Sequence, residues 1–398
     1  MTSMDLQKEQ IIHHIADEIK KNIKQTISSK TDIDWGLYTG LLGMIIFLFY
    51  YARWTNKKND IQIANSFLEY YISNVPLAEI HYSYCSGLSG ILVGINHLNK
   101  HRFAEISTSL IMPFLSDYML QIVKSDNANF DFMHGTIGLG IMLRYYDLNA
   151  IQKELLSQLA NHIVVDTNLK WLTFKDFNTN QFVENISLSH GMSSVISYLS
   201  MLSSIDKNFK QEVKSNLNCF VNYILSQKYL NYQDIGSFFP YTSLKDQVCK
   251  SRLAWCYGDL GISIALFNAG LLTNEENWKK EAIKVLSFST NRLNTIDNGV
   301  VDACFCHGTA GISQIYNRLY IMTKIQQFKN ASEYWVNETL KYSKFPDGLV
   351  GYKTAFGNSL FNEYNLLEGI AGIGLSLLAS LDRARLSSWD SLFLLSVD

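Results

Sequence analysis

The sequence predicts an all-α protein, an α/α toroid of seven inner and seven outer helices with small β-rich extensions at its mouth. Three observations lead there. Four prolines in 398 residues is about 1%, far below the usual ~5%, which suits long helices and disfavours long linkers. A short glycine-centred phrase returns seven times, its leading glycines at Gly40, Gly87, Gly135, Gly191, Gly258, Gly308 and Gly369, 47 to 67 residues apart. Each step has room for two helices, the first apolar nearly all round and the second with a polar face.

In chain order the phrases are YTGLLG from Tyr38, CSGLSG from Cys85, MHGTIG from Met133, SHGMSS from Ser189, CYGDLG from Cys256, CHGTAG from Cys306 and LEGIAG from Leu367. Apolar runs such as GILVGINHL, GISIALFNAG and GIGLSLLAS follow them and read as inner helices. The amphipathic stretches 61–75, 103–123, 151–165, 208–225, 276–293 and 331–342 read as outer helices. Alternating pairs close most economically into a ring, because a linear solenoid exposes unprotected end repeats. The glycines let the chain turn sharply and let helix ends crowd together. Inner helices that all point one way bring their positive N-terminal ends to one mouth, which suits an anionic intermediate. Extended-looking stretches from Trp171 and Asn231 supply the β-rich extensions, and residues 1–398 form a single toroid domain.

Composition narrows the function. Hydrophobic residues make up 47% and charged residues 18%, against about 25% charged in an average soluble domain, so most of the chain enters a core. The net charge of −2 and pI of about 6.5 lack the basic footprint of a nucleic-acid binder. The charged N-terminus has no apolar core of the signal-peptide kind. The most apolar window, 36–52, falls short of the ~20 residues of a membrane span and is broken by Gly40 and Gly43. These features predict a cytoplasmic protein whose six cysteines remain thiols. No phosphate-binding loop or complete dinucleotide fingerprint is present.

Chemistry concentrates in the phrases. Cys256, Cys306 with His307, and His190 are strong metal-ligand types, and a Cys, Cys, His set around zinc leaves one position open, as catalytic zinc does. A lone cysteine is more often a small core residue, but two cysteines and a histidine in the register of adjacent repeats favour a metal. Cys304 competes as a ligand outside that register. His134 and His190 share the position of His307, while His81, His97, His101 and His162 fall outside it and read as surface or packing residues. Asp131 and Arg252 lie on loops entering the mouth, and a lone aspartate there is more often a helix cap than a catalytic acid. Asp131, Asp259 and Glu368 supply carboxylates for an alternative reading, a toroid glycoside hydrolase.

With SHG at His190, WCYG at Cys256 and CHG at Cys306, the chain resembles the lanthionine synthetase C family, the stand-alone cyclases of lantibiotic biosynthesis. The resemblance runs from Gly40 to the tail SSWDSLFLLS. It implies an α/α toroid that binds Zn²⁺ through Cys256, Cys306 and His307, with His190 as acid/base histidine and Asp131, Arg252 and Tyr257 as further site residues. It also implies a dehydrated precursor peptide as substrate and, as partners, a dehydratase and an ABC transporter through which the protein meets the membrane. The family's eukaryotic relatives suggest an alternative, a peptide- or glutathione-binding scaffold. One departure stands out: Ser194 replaces the second glycine of the fourth phrase, at a close-packed position.

Overall fold

The computed structural model describes residues 3–29, 33–108, 112–125, 129–146, 148–166, 168–176, 180–205, 210–243 and 248–397. The helices are α1 (Ser3–Ser29), α2 (Leu41–Thr55), α3 (Lys58–Asn74), α4 (Leu88–Lys100), α5 (Met112–Ser125), α6 (Thr136–Leu143), α7 (Asn149–Asn161), α8 (Met192–Ile205), α9 (Lys210–Ser226), α10 (Tyr232–Ile235), α11 (Asp259–Thr273), α12 (Glu276–Ser289), α13 (Thr309–Thr323), α14 (Gln326–Lys341) and α15 (Ile370–Leu381). Six short strands form three antiparallel pairs: β1 (Val164–Asp166) with β2 (Leu169–Trp171), β3 (Phe174–Lys175) with β4 (Phe182–Val183), and β5 (Thr354–Phe356) with β6 (Ser359–Phe361). None of the described helices is long and apolar enough to cross a membrane.

Every phrase opens an inner helix: α2, α4, α6, α8, α11, α13 and α15 begin directly after the seven leading glycines. The local cause is a closed loop. In every inner helix but α11, the amide of the first helical residue bonds to the carbonyl seven residues earlier, as in Leu41 to Asp34 and Met192 to Asn185 at 2.8 Å and Thr309 to Asp302 at 3.1 Å. The leading glycine sits at the neck of that loop, where a Cβ at Gly40 or Gly191 would collide with the Asp34 or Asn185 carbonyl oxygen. Its φ is extended at Gly40, near −116°, so close approach rather than handedness demands glycine. Gly258 is the exception, with φ +82°.

Contacts group the chain into two compact units. In the first (residues 1–81, 85–105 and 295–393), α13 packs on α15, α15 on α2 and α2 on α4. The last inner helix therefore meets the first. Backbone bonds tie the phrases in the same order: Cys306 N–H to Leu367 O, Leu367 N–H to Tyr38 O, and Tyr38 N–H to Cys85 O, at 2.8 to 3.0 Å. A second glycine admits each neighbour, Gly43 facing Leu366 Cβ and Gly372 facing Phe305 Cβ. The tail plugs this core: Phe393 stacks on Tyr38 with ring centroids 4.5 Å apart, and buried Asp390 accepts from Arg318 at 2.8 Å and from Gln314 at 2.6 Å.

In the second unit (residues 82–84, 106–294 and 394–398), α6 packs on α8 and α8 on α11, with Gly138 admitting Tyr84 and Gly261 admitting Leu188. Ser194 fits where glycine was expected: it is wholly buried and its hydroxyl donates to Gly191 O at 2.7 Å.

Some boundaries differ from the sequence reading. The seventh outer helix is α1, which buries Ile12, Ile15, Ile19 and Ile23 against α2 and α15; its dense charge masks that stripe. Of the expected helix at 103–123, residues 104–108 are not helical and the described helix is α5, Met112–Ser125; the one at 151–165 ends at Asn161, with Val164 opening β1. The stretch from Asn231 is not a strand but the short helix α10, stopped by Gly236 at φ +84°. The β5–β6 hairpin had no forerunner in the sequence reading.

Replacing Gly372 by alanine would drive a Cβ against Leu366 O and Phe305 Cβ. Overpacking of this kind costs roughly 1–3 kcal/mol. Chemical denaturation should show that loss, and an unchanged midpoint would refute the close-approach account.

Candidate functional site

The closed loops fix where side chains stand. The two residues before each leading glycine are carried at the head of an inner helix, and the site candidates lie at those positions: His134, His190, Tyr257, His307 and Glu368 immediately before the glycine, Cys256 and Cys306 one residue earlier.

In the second unit, His190 Nδ1 lies 2.6 Å from Asp131 Oδ2. The other oxygen of Asp131 accepts from the His134 amide at 2.7 Å, so one carboxylate both shapes its own loop and holds an imidazole on the next. Asp131 is 1% exposed and the His190 side chain 25%. Burial opposes a charged imidazole, yet the Asp131 carboxylate outweighs it, helped by Cys256, and the His190 pKa is raised. The His134 ring stacks on His190 with centroids 5.8 Å apart. Tyr257 lies 6.2 Å from His190, is stacked on Tyr241 at 4.5 Å, and meets the Asn185 amide at 3.5 Å; burial pushes its phenol up, so it stays protonated. Cys256 is buried, and its carbonyl accepts from Leu188 N–H at 3.1 Å, Ser189 N–H at 3.3 Å and Ser189 Oγ at 3.2 Å. Those bonds join the loops of His190 and Cys256. Arg252 is half-buried, with its carbonyl against Gly258.

In the first unit, ligand atoms of Cys306, His307 and Glu368 lie within 4.8 Å of one another, because Cys306 is bonded to Leu367 beside Glu368. A second cluster, Asp302, Cys304 and His307, shares the histidine. Its members are occupied otherwise. Cys304 is fully buried, which pushes its thiol up to about 12. Asp302 lies with Oδ2 3.2 Å from His307 Nε2 and is held ionised: burial opposes the charge, but His307 and the amides of Ala355 and Cys304 outweigh it. Metal-binding histidines commonly have such a carboxylate behind the ring. Buried Cys306 and His307 thus suit a soft divalent ion such as zinc, and Cys256 carries the same donor at the same register in the other unit.

Asp302 and Asn185 escaped the sequence reading, although a signal exists. Asp34, Asn185 and Asp302 all stand six residues before a leading glycine, and each side-chain oxygen accepts from the amide two residues on, at 2.7, 2.9 and 3.0 Å. These are Asx turns. Asp259, offered as a hydrolase acid, is wholly buried, bonded to Arg292 at 3.0 Å and to the amides of Phe238 and Phe239; it anchors the fold. His97 is a core histidine, bonded to Tyr50 at 2.9 Å.

A family model described as lanthionine synthetase C-like protein matches residues 31–394. The chain is 23% identical over 360 residues to the nisin biosynthesis protein NisC of Lactococcus lactis subsp. lactis, covering 79% of this chain and 83% of the relative. Among solved structures it is similar to a nisin cyclase, at 20% identity and TM-score 0.75, covering 95% of this chain and 97% of the other. That likeness shows the fold, an α/α toroid.

Asp131→Asn should keep the bond to the His134 amide and remove the charge that holds His190 protonated. The His190 pKa, read by NMR titration, should fall. Because the native value is raised above the ordinary 6.5, the pair stabilises the fold fully below that pH and ever less as pH rises through the native value. The stability gap between wild type and variant should be wider at about pH 5 than at about pH 9. An unmoved His190 titration would contradict the pairing.

Proposed function

The chain belongs to the lanthionine synthetase C-like family, and from that premise we propose that it is a zinc-dependent peptide cyclase. It closes lanthionine and methyllanthionine rings in a dehydrated lantibiotic precursor peptide, joining a cysteine thiol to dehydroalanine or dehydrobutyrine. The observation that carries this reading is the pair of buried cysteines, Cys256 and Cys306, at the same register of two glycine loops, each followed by an imidazole or phenol at the helix mouth. In this reading Cys256, Cys306 and His307 hold the metal. Bound zinc supplies the acidity that turns a peptide thiol, with an ordinary pKa near 8.5, into a thiolate at neutral pH.

The protein's own groups then meet the charge that develops. Sulfur bonds to the β-carbon, the double-bond electrons move to form an enolate, and the α-carbon takes a proton. His190 suits the last step, since Asp131 keeps it protonated further up the pH scale. Arg252, Tyr257 as a protonated donor, and the N-terminal ends of the inner helices suit the enolate oxygen. A glycoside hydrolase is disfavoured by the burial and ion pair of Asp259. In the cell the substrate would arrive from a dehydratase, with an ABC transporter as a further partner, and the site of action would be the cytoplasm.

Purified protein should contain one zinc per chain by elemental analysis, and Cys256→Ala should lose it. Incubated with a dehydrated precursor peptide, wild type should consume free thiols, and His190→Ala should slow this by at least ~10² with zinc content and helicity intact. Peptide binding without thiol loss would instead identify a binding scaffold.

A further inference from the structure

Asp302 joins its own loop, residues 302–307, to a hairpin that lies 53 residues away in the sequence. Its Oδ1 accepts from the Cys304 amide at 3.0 Å, its Oδ2 accepts from the Ala355 amide in β5 at 2.8 Å, and the same oxygen lies 3.2 Å from His307 Nε2. The carboxylate is 1% exposed, so these partners replace water almost entirely. The β5–β6 hairpin is fastened a second time, by Thr354 Oγ1 donating to the Glu368 carbonyl. Glu368 belongs to the cluster with Cys306 and His307. The hairpin root therefore grips the metal-ligand cluster from two sides, through Asp302 and through Glu368. Beyond its root the hairpin is exposed, with Phe356, Leu360 and Phe361 open to solvent.

We propose that Asp302 is a positioning residue: it sets the orientation of the His307 ring for metal binding and makes that orientation depend on the seating of the β5–β6 hairpin. The inference rests on the reading of Cys306 and His307 as zinc ligands. An imidazole free to turn about its side-chain bonds loses rotamer entropy when it binds a metal, and a fixed carboxylate behind the ring removes that loss in advance. In this proposal Asp302 stands behind the ring rather than on the metal: its two oxygens are already held by the amides of Cys304 and Ala355, and Oδ2 meets the His307 ring. The Ala355 amide contributes through the carboxylate alone: it holds Oδ2 where His307 meets it.

Zinc affinity of the full-length protein, measured by competition with a chromophoric chelator, tests this without any assay of catalysis. Asp302→Asn should weaken zinc binding by about 10–100-fold. Ala355→Pro, which removes one amide and no candidate ligand, should weaken it in the same direction by a smaller factor. Cys249→Ser, at an exposed cysteine outside both clusters, should leave it unchanged. With Co²⁺ in place of zinc, the thiolate-to-metal absorption should persist in Asp302→Asn, since the cysteines still bind. Wild-type affinity in Asp302→Asn overturns the proposal. So does collapse of binding in both Asp302→Asn and Cys304→Ser, which would make these residues ligands. If Asp302→Asn fails to fold by circular dichroism, Ala355→Pro decides, and an unchanged affinity there overturns the coupling. A wild type that binds no zinc overturns the ligand assignment itself, and is distinguished from failure of the positioning role by being visible before any substitution.

Discussion

The structure depends on one backbone closure, which six of the seven inner helices make: the bond from the helix's first amide to a carbonyl seven residues earlier. A helix leaves its first amides without intrahelical partners, and here one of them closes a tight loop instead of facing solvent. The loop is so narrow that the residue at its neck has no space for a side chain, as the approach of the Asp34 and Asn185 carbonyls to Gly40 and Gly191 shows. Once the neck is fixed, the two residues before it are delivered at a constant position from one repeat to the next. Tyr38, Cys85 and Leu367 use that position for backbone bonds between phrases. Cys256 and Cys306 use it to carry sulfur.

Electrostatics then distinguish loops that share a geometry. Asp131 and Asp302 each give one oxygen to a nearby amide of their own loop and the other to an imidazole immediately before a leading glycine. The device suits buried carboxylates, which are costly without partners and rigid with them. Its two uses diverge by neighbours. The His190 side chain is 25% exposed beside Asp131, fit for proton transfer, whereas that of His307 is 11% exposed and sits among Cys306, Glu368 and Asp302, fit for a cation.

Much of this was legible in the sequence, because glycine is the one residue whose placement the loop dictates outright. Seven phrases located seven inner helices, each of which begins inside its phrase, directly after the leading glycine, a few residues before the apolar run read as the helix, and the cysteines and histidines could be ranked by register. What stayed hidden has physical reasons. The apolar stripe of α1, from Ile12 to Ile23, is diluted by lysines and acids that face solvent. Strands of two or three residues, such as β3 and β5, are too short for alternation to show. The hold of Asp302 on Ala355 spans 53 residues, and no local pattern encodes it. The Asx turns at Asp34, Asn185 and Asp302 were visible as a repeated short polar residue six places before the glycine, a weaker signal than the glycine because other side chains, including His81 and Arg252, stand there as well.

The contrast between Asp259 and Asp131 shows why register alone does not assign chemistry. Asp259 follows its leading glycine and turns into the protein, where burial raises its pKa in spite of the Arg292 guanidinium. Two backbone amides and the hydroxyl of Ser289 complete its shell. A carboxylate so enclosed cannot meet a substrate, and removing it would leave Arg292 charged and buried, a loss of the kind that reaches about 3–5 kcal/mol. Asp131 precedes its glycine and faces His190, whose ring keeps a quarter of its surface open. Of these two acids, the one after the glycine neck belongs to the helix and the core, and the one before it to a loop that carries an imidazole. The two cysteines, Cys256 and Cys306, likewise stand two residues before the neck, on the N-terminal side of α11 and α13, the side on which a helix dipole favours negative charge.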